Sequence, residues 1–197
     1  MDGQQGWLRL TLQQGGRPFV RVTSNSMAPL LKKGDFAQIA AVDVTDLHDD
    51  DIVVFAHQES LISHRLWRRV GAANETLLTR GDRLDHFDPP HSTKDVLGRV
   101  IARRRDGRIL NIQHGIGRQA RKMTGHLARF ELRLAPAQPH RVQQSEKLGQ
   151  GDQGVAARQI GQWAHFLLGQ TVYRCAQITV ALAELAAQLT VGNRDAR

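Results

Sequence analysis

The stretch Ser24-Asn25-Ser26-Met27-Ala28-Pro29-Leu30-Leu31-Lys32-Lys33-Gly34-Asp35, which we call the Ser loop, separates two short apolar runs. Pro29 and Gly34 favour a tight loop between two strands. Because Ser and Asn are ordinary loop residues, the stretch alone is more typical of a plain turn than of a catalytic loop. A serine nucleophile nevertheless requires such a place, which is rigid, partly exposed and able to offer backbone N–H groups to an oxyanion.

Outward from the Ser loop, short β-branched and apolar runs alternate with turn residues up to about residue 112. No helical period is visible there, so we expect a mainly β, antiparallel, barrel-like domain over residues 17–112. The polar, Gly- and Gln-rich residues 1–16 are expected to form a lead-in strand or arm. The strands of the domain are expected at residues 19–23, 35–42, 51–57, 61–70, 75–80, 96–103 and 108–112.

The pattern changes to a helical one after residue 112. Apolar residues from Ile116 to Leu134 recur at spacings of three and four with basic residues between them, which predicts a basic amphipathic helix over residues 113–134. This helix either packs on the barrel with a charged outer face or docks on a membrane surface or partner. A linker over residues 135–158 and a helical segment over residues 159–191 are expected to follow. The apolar stripe of that segment consists of Ile178, Leu182, Leu185 and Leu189.

The composition is that of a globular protein. Of the 197 residues, 41% are hydrophobic and 23% charged, and the formal net charge is +8. Residues 1–100 carry 12 Lys/Arg and 13 Asp/Glu, a net charge of −1, which leaves +9 for residues 101–197. Peripheral membrane contact through residues 116–134 is therefore one expectation and a solvated charged surface the other, with nucleic acid a less favoured partner.

Three absences limit the cellular setting. The single Cys175 excludes an intrachain disulfide and is expected to be a small buried hydrophobe. The N-terminus lacks the pattern of a secretory signal, and no run of apolar residues approaches the length of a membrane span. We therefore expect a cytoplasmic or peripherally membrane-associated protein.

Histidine is the expected general base for a serine in this loop. Residues 34–93 contain no lysine, so a Ser–Lys dyad drawing on these strands is impossible. His64 is favoured because it lies in the middle of a predicted strand, although a lone strand histidine is more often structural. A carboxylate from the loop of residues 81–94, which Pro89 and Pro90 stiffen, could orient the imidazole or could merely cap a turn. The candidates are His48, His57, His64, His86 and His91 for the base and Asp82, Asp85 and Asp88 for the carboxylate.

Several motifs, in sequence order, resemble those of signal peptidases and related members of the S24/S26 serine peptidase superfamily. The Ser loop resembles their Ser-x-Ser-Met-x-Pro box, and Ser63-His64-Arg65-Leu66 resembles the box in which archaeal and endoplasmic-reticulum enzymes carry His-Arg and bacterial enzymes carry Lys. The other matches are Asp51-Ile52-Val53-Val54-Phe55, preceded by Asp50 where the family usually has Gly, Leu78-Thr79-Arg80-Gly81-Asp82 with Phe87-Asp88-Pro89, and Asp95-Val96-Leu97-Gly98-Arg99-Val100.

The resemblance implies a signal-peptidase-type fold and a serine endopeptidase that cleaves a peptide or protein substrate. It makes Ser26 the nucleophile, His64 the general base and Asp88 the third member of the triad. Ser24 becomes a contributor to the oxyanion hole, and Asp82 an alternative, more structural carboxylate. Signal peptidases normally carry an N-terminal membrane anchor, which we do not expect here because the motifs begin almost at once.

Two alternatives keep the same scaffold without this activity on external substrates. In one, the chain is a non-catalytic module that binds peptides, or binds a membrane or nucleic acid through its basic half. In the other, it cleaves itself, with the cut expected in residues 135–158. No cofactor is expected, and no metal, because the His and Cys positions show no His-x-x-x-His or Cys-x-x-Cys spacing.

Overall fold

A computed structural model of the chain describes residues 3–71, 75–134 and 170–188. Within these ranges eight strands form one antiparallel sheet that curls into a half-barrel with helices beside it, so the expected mainly β, barrel-like fold with a helical C-terminal extension is confirmed. The strands are β1 (Phe19–Arg21), β2 (Phe36–Ala40), β3 (Ile52–His57), β4 (Ser60–Val70), β5 (Thr76–Arg80), β6 (His91–Ser92), β7 (Val96–Arg105) and β8 (Arg108–Asn111). The helices are α1 (Gly3–Gln13), α2 (Gly115–Leu134) and α3 (residues 170–188).

The strand order places β1 at one end of the sheet and gives β4 two different partners along its length. Neighbouring strands run β1-β2-β7-β3-β4-β5-β6, and β8 pairs with β7. β4 changes partner along its length, since residues 60–65 pair with β3 and residues 65–70 pair with β5. Among the described strands, residues 60–64 therefore have a partner on one edge alone, and β1 is likewise an edge strand.

The Ser loop belongs to the core as much as to the surface. Met27, Leu30 and Leu31 are almost completely buried in the larger apolar cluster, between α1 and strands β2, β3 and β7. Burying a side chain of this kind stabilises a fold by about 1.5–3 kcal/mol. These three residues therefore hold the loop from beneath, while the serines that precede them stay near the surface.

The conformation expected for the N-terminal residues is wrong. Residues 3–13 form helix α1 instead of a strand or arm, and Leu8 and Leu12 pack into the larger core. Two buried leucines four residues apart are enough to fix one face of a short helix. The Gly- and Gln-rich composition around them hides this pattern.

The buried faces of the C-terminal helices also differ from the expected stripes. In α2, Met123 and Phe130 are half exposed, whereas Arg121 and Thr124 are buried. Three members of the expected α3 stripe, Ile178, Leu182 and Leu185, are exposed, and Leu189 lies outside the described residues. Cys175, which was expected to be buried, is exposed as well. The buried residues of α3 are instead Val172, Ala176, Val180 and Ala183.

No described helix is long and apolar enough to cross a membrane. Peripheral membrane contact through residues 116–134 stays a prediction. The expected linker over residues 135–158 lies outside the described residues.

Candidate active site

Backbone hydrogen bonds and one arginine fix the two ends of the Ser loop. Val22 N–H donates to the Asp35 carbonyl at 2.8 Å, and Gly34 N–H donates to the Val22 carbonyl at 2.9 Å. Gly34 has a φ of 97°, which an L-residue rarely adopts. Arg105 binds both carboxylate oxygens of Asp35, at 2.8 and 2.7 Å. The loop is thus closed at its base and tied to β7.

Ser26, His64 and Asp88 form one hydrogen-bonded line. His64 Nε2 lies 3.1 Å from Ser26 Oγ, and His64 Nδ1 lies 2.7 Å from Asp88 Oδ2. An ionised carboxylate can only accept hydrogen bonds, so Nδ1 carries the proton and Nε2 is left to accept from the serine hydroxyl. His64 is 7% exposed, and the hydrogen bonds at both ring nitrogens hold the imidazole in this orientation. This is the arrangement that a general base needs in order to activate a serine.

Asp88 is held by the end of β5. Its N–H donates to the Thr79 carbonyl at 2.9 Å, and the Thr79 hydroxyl donates to Asp88 Oδ2 at 2.6 Å. Burial alone would raise the pKa of Asp88, but the hydrogen bonds from His64 and Thr79 outweigh it and hold that pKa below its ordinary value. Asp88 therefore stays ionised and can orient His64.

Residues 81–84, which we call the support turn, pack directly against Ser26. Arg83 N–H donates to the Ser26 carbonyl at 2.9 Å. A Cβ placed on Gly81 would lie 3.0 Å from both the Cβ and the carbonyl oxygen of Ser26. A side chain at position 81 would therefore crowd Ser26, and glycine lets the turn approach the serine this closely.

The two supporting residues expected from the sequence lie in different places. Ser24 Oγ is 3.2 Å from Ser26 Oγ, so it stands beside the candidate nucleophile. Asp82 instead binds Arg65 through two hydrogen bonds of 2.7 and 2.6 Å, and both side chains are buried. Of the two candidate carboxylates, Asp88 contacts His64 and Asp82 does not, so the geometry favours Asp88 as the third member of the line.

The remaining candidates do not join the site. His86 pairs with Asp85 at 2.7 Å, and both side chains are largely exposed. His48 and His57 are exposed as well. Across the described residues, no group of three or more His, Cys, Asp or Glu is arranged to hold a metal ion.

A cleft of about 260 Å³ opens beside the serine and the histidine. It lies between the edge strand β1 and the singly paired residues 60–64 of β4, and its floor is apolar. The lining residues include Val20, Val22, Ala37, Ile39, Val54 and Ile62. An extended chain segment laid in this cleft would run past Ser26 with unpaired strand edges on both sides.

Sequence reasoning missed Thr79 and Arg65 as parts of the site. Both lie within the motifs that carry the family resemblance, yet neither motif says which residue a side chain will meet. Thr79 reaches Asp88 because β5 ends where the loop returns, and Arg65 reaches Asp82 because residues 65 and 80 are paired across β4 and β5. Strand register supplies these contacts, and register is not readable from one sequence.

His91 lies behind the triad. Its ring stacks on Phe55 with the centroids 4.0 Å apart, and its Nδ1 lies 3.3 Å from the Pro89 carbonyl. Burial lowers the pKa of His91, and the Pro89 carbonyl and the Asp88 charge only partly oppose this effect. The folded protein therefore holds this ring in its neutral form.

Replacing His91 by phenylalanine is expected to flatten the acid side of the stability profile. Because the folded pKa of His91 is lowered, its favourable contribution is complete above the ordinary histidine pKa and is lost as the pH falls through the folded value. Phenylalanine keeps the stack on Phe55 and removes the titration. Urea unfolding from about pH 8 to about pH 5 measures the difference, and parallel profiles for the two proteins would contradict it.

Comparison of this chain with protein-family models gives no match, and a search of the curated proteins gives none. The likeness to signal peptidase motifs therefore stays a resemblance. The geometry of Ser26, His64 and Asp88 is the feature of the molecule that points to a function.

Proposed function

We propose that this chain is a serine endopeptidase of the signal peptidase-like class, acting on a peptide or protein substrate without a cofactor. One observation carries the proposal: His64 lies within hydrogen-bonding distance of Ser26 on one side and of Asp88 on the other. The motif resemblance assigns the same three roles independently of these distances. A buried, ionised acid behind a histidine that faces a loop serine has a direct chemical use in acyl transfer.

The proposed reaction proceeds in two halves. Ser26 Oγ attacks the scissile carbonyl carbon while His64 Nε2 takes the hydroxyl proton, and the Asp88 carboxylate stabilises the imidazolium that forms. His64 then gives this proton to the leaving amine as the C–N bond breaks, which leaves an acyl ester on Ser26. His64 then takes a proton from water as the water oxygen attacks the ester carbon, and it returns this proton to Ser26 Oγ as the acyl–oxygen bond breaks and the second product leaves. The backbone N–H groups of the Ser loop and the Ser24 hydroxyl are the proposed donors to the oxyanion.

The cleft favours an extended substrate with small apolar side chains near the cut. Its two walls are strand edges, which would bind the substrate backbone by adding it to the sheet. Ala37, Ile39 and Val54 line the floor and offer no charge to bind a charged substrate side chain, whereas Arg21 lies on the wall formed by β1. Specificity would then come from side-chain size and from backbone pairing.

A proteome-derived peptide mixture tests the proposal on many candidate substrates at once. The full chain is incubated with the mixture, and new peptide termini are mapped by mass spectrometry, with Ser26→Ala as the matched control. We expect termini that appear with the wild-type chain and are absent with the variant. A chain that retains peptides and produces no Ser26-dependent termini would instead be the non-catalytic module.

Ser24→Ala is expected to lower kcat by about a hundredfold with little change in KM, if the Ser24 hydroxyl donates to the oxyanion. Ser24 is exposed, so we expect the loss of its hydroxyl to leave the positions of Ser26 and His64 unchanged. Initial rates at saturating and limiting peptide concentration separate the two parameters. Ser24→Thr, which keeps the hydroxyl, is the control. An unchanged kcat in Ser24→Ala would remove Ser24 from the oxyanion site.

A further inference from the structure

Arg65, which follows His64 in β4, is one of the most buried residues in the described structure, at 0% exposure. Adjacent residues of a strand point to opposite faces. His64 faces the cleft, and Arg65 faces helix α2 on the other side of the sheet. Whatever holds the Arg65 side chain therefore also sets the position of β4 at the histidine.

All five N–H donors of the Arg65 guanidinium have a partner. Nε and Nη2 donate to the two oxygens of Asp82, and Nη1 donates to the Asp50 carbonyl at 3.1 Å. The other two partners come from α2, namely the Arg121 carbonyl and the Thr124 hydroxyl, each at 3.1 Å. Burial lowers the pKa of Arg65, but attraction and hydrogen bonding to Asp82 outweigh it, so the net shift is upward and the side chain stays charged.

Gly125 makes the approach of Arg65 to α2 possible. A Cβ at this position would lie 2.8 Å from Asp50 Oδ1 and 3.1 Å from Arg65 Nη1. Glycine in the interior of a helix is unfavourable, so its presence here needs a reason other than helix formation. The reason is space, because without a Cβ at position 125 both Asp50 and the Arg65 guanidinium can lie directly against the helix backbone.

Two further ion pairs fasten α2 to the same corner of the sheet. Arg121 Nη1 binds Asp51 Oδ1 at 2.5 Å, and Arg129 Nη2 binds Asp50 Oδ1 at 2.9 Å. Asp50 has a φ of 73°, a conformation that favours glycine. An aspartate at this position gains a partner on α2 that a glycine could not have.

We propose that α2 positions the catalytic groups: Arg121, Thr124 and Gly125 complete a buried socket for Arg65, and Arg65 holds both the His64 strand and the support turn. This inference rests on the proposed function. The chain of contacts is short, since Asp82 follows Gly81, and Gly81 packs on Ser26. Thr124 is accordingly a positioning residue, which touches neither Ser26 nor His64 but sets the distance between them.

The test compares Thr124→Val with Thr124→Ser in the full chain. Valine keeps the shape and leaves one buried Arg65 N–H without an acceptor, whereas serine keeps the acceptor. With a peptide that the wild-type chain cleaves, we expect valine to lower kcat by about tenfold to a hundredfold, with KM within about twofold, and serine to restore most of the rate. Equal kcat values for the wild-type, valine and serine chains would overturn the inference.

Gly125→Ala provides a second route if the valine variant fails to fold. Alanine favours a helix more than glycine does, so the variant strengthens α2 while its Cβ clashes with Asp50 Oδ1 and crowds the Arg65 guanidinium. Gly6→Ala in α1 is the matched control, because nothing lies within 4 Å of the added Cβ. We expect Gly125→Ala to lower kcat and Gly6→Ala to leave kcat at the wild-type value. Equal rates for the two glycine variants would overturn the inference.

Proton NMR separates this inference from the proposed function. The hydrogen-bonded Nδ1 proton of His64 gives a downfield signal that needs no substrate. If the wild-type chain shows no Ser26-dependent cleavage, the proposed function fails, and the inference is judged by this signal alone. Loss or broadening of this signal in Thr124→Val, together with a wild-type signal in Thr124→Ser, supports the inference that α2 positions His64 through Arg65. An unchanged signal in both variants contradicts it.

Discussion

Replacing Ser26 or His64 by alanine is expected to lower kcat by about 10⁶-fold and leave the fold intact. Ser26→Ala removes the atom that attacks the carbonyl, and His64→Ala removes the only described side chain that both contacts this hydroxyl and is held by Asp88. Because the two act as one unit, the double variant should be no slower than either single variant. Steady-state rates on a cleaved peptide measure the effect.

Folding of the variants is the control for this prediction. Ser26 lies at the edge of the cleft and loses one hydroxyl, so Ser26→Ala should unfold at the wild-type urea concentration. His64→Ala empties a nearly buried site and should cost about 1–3 kcal/mol, within the range of ordinary single substitutions. A folded Ser26→Ala chain that cleaves at the wild-type rate would end the assignment of Ser26 as the nucleophile.

The β domain is readable from the sequence because its strands carry local signals. The run before His57 is apolar on both faces, as expected for a strand in the middle of the sheet, and β3 does pair on both sides. Asp106-Gly107 is a favoured hairpin dipeptide, and both residues have positive φ values of 48° and 76°. Such features depend on neighbours in the chain, which the sequence displays.

The contacts of the triad are only partly readable. The absence of lysine and the position of His64 narrow the choice of base, but spacing does not separate Asp82 from Asp88. The two aspartates are distinguished by their partners: Asp82 binds Arg65, whereas Asp88 binds Thr79 and His64. Both partners are brought in by strand register and loop path, which are set by the whole fold.

The buried face of α2 differs from the expected one for a related reason. Hydrophobic periodicity assigns the apolar stripe to the core, yet the surface beneath α2 carries the polar groups of Arg65, Asp50 and Asp51. A charged surface of this kind requires polar partners from the helix that covers it. Arg121 and Thr124 are those partners, so part of the apolar stripe, including Met123, is turned outward.

Asp82→Asn is expected to cost about 3–5 kcal/mol of unfolding free energy, the largest stability loss among the substitutions considered. The change leaves the buried charge of Arg65 without its balancing carboxylate, in a place that water does not reach. Urea unfolding measures the loss. Asp85→Asn is the matched control, because its ion pair with His86 is mostly exposed and should contribute little.

Asp88→Asn should show the reverse pattern, with kcat reduced by about 10⁴-fold because an amide can hold His64 in the wrong tautomer. The two aspartates, which spacing does not distinguish, would thus be separated by measurement into one that stabilises the fold and one that supports the chemistry.

Replacing both members of the buried pair, as Arg65→Met with Asp82→Leu, leaves no unpaired charge and should recover the unfolding free energy that Asp82→Asn loses. If Arg65 also positions His64, kcat will stay low in that stable double variant, and a wild-type kcat would show that the pair serves stability alone.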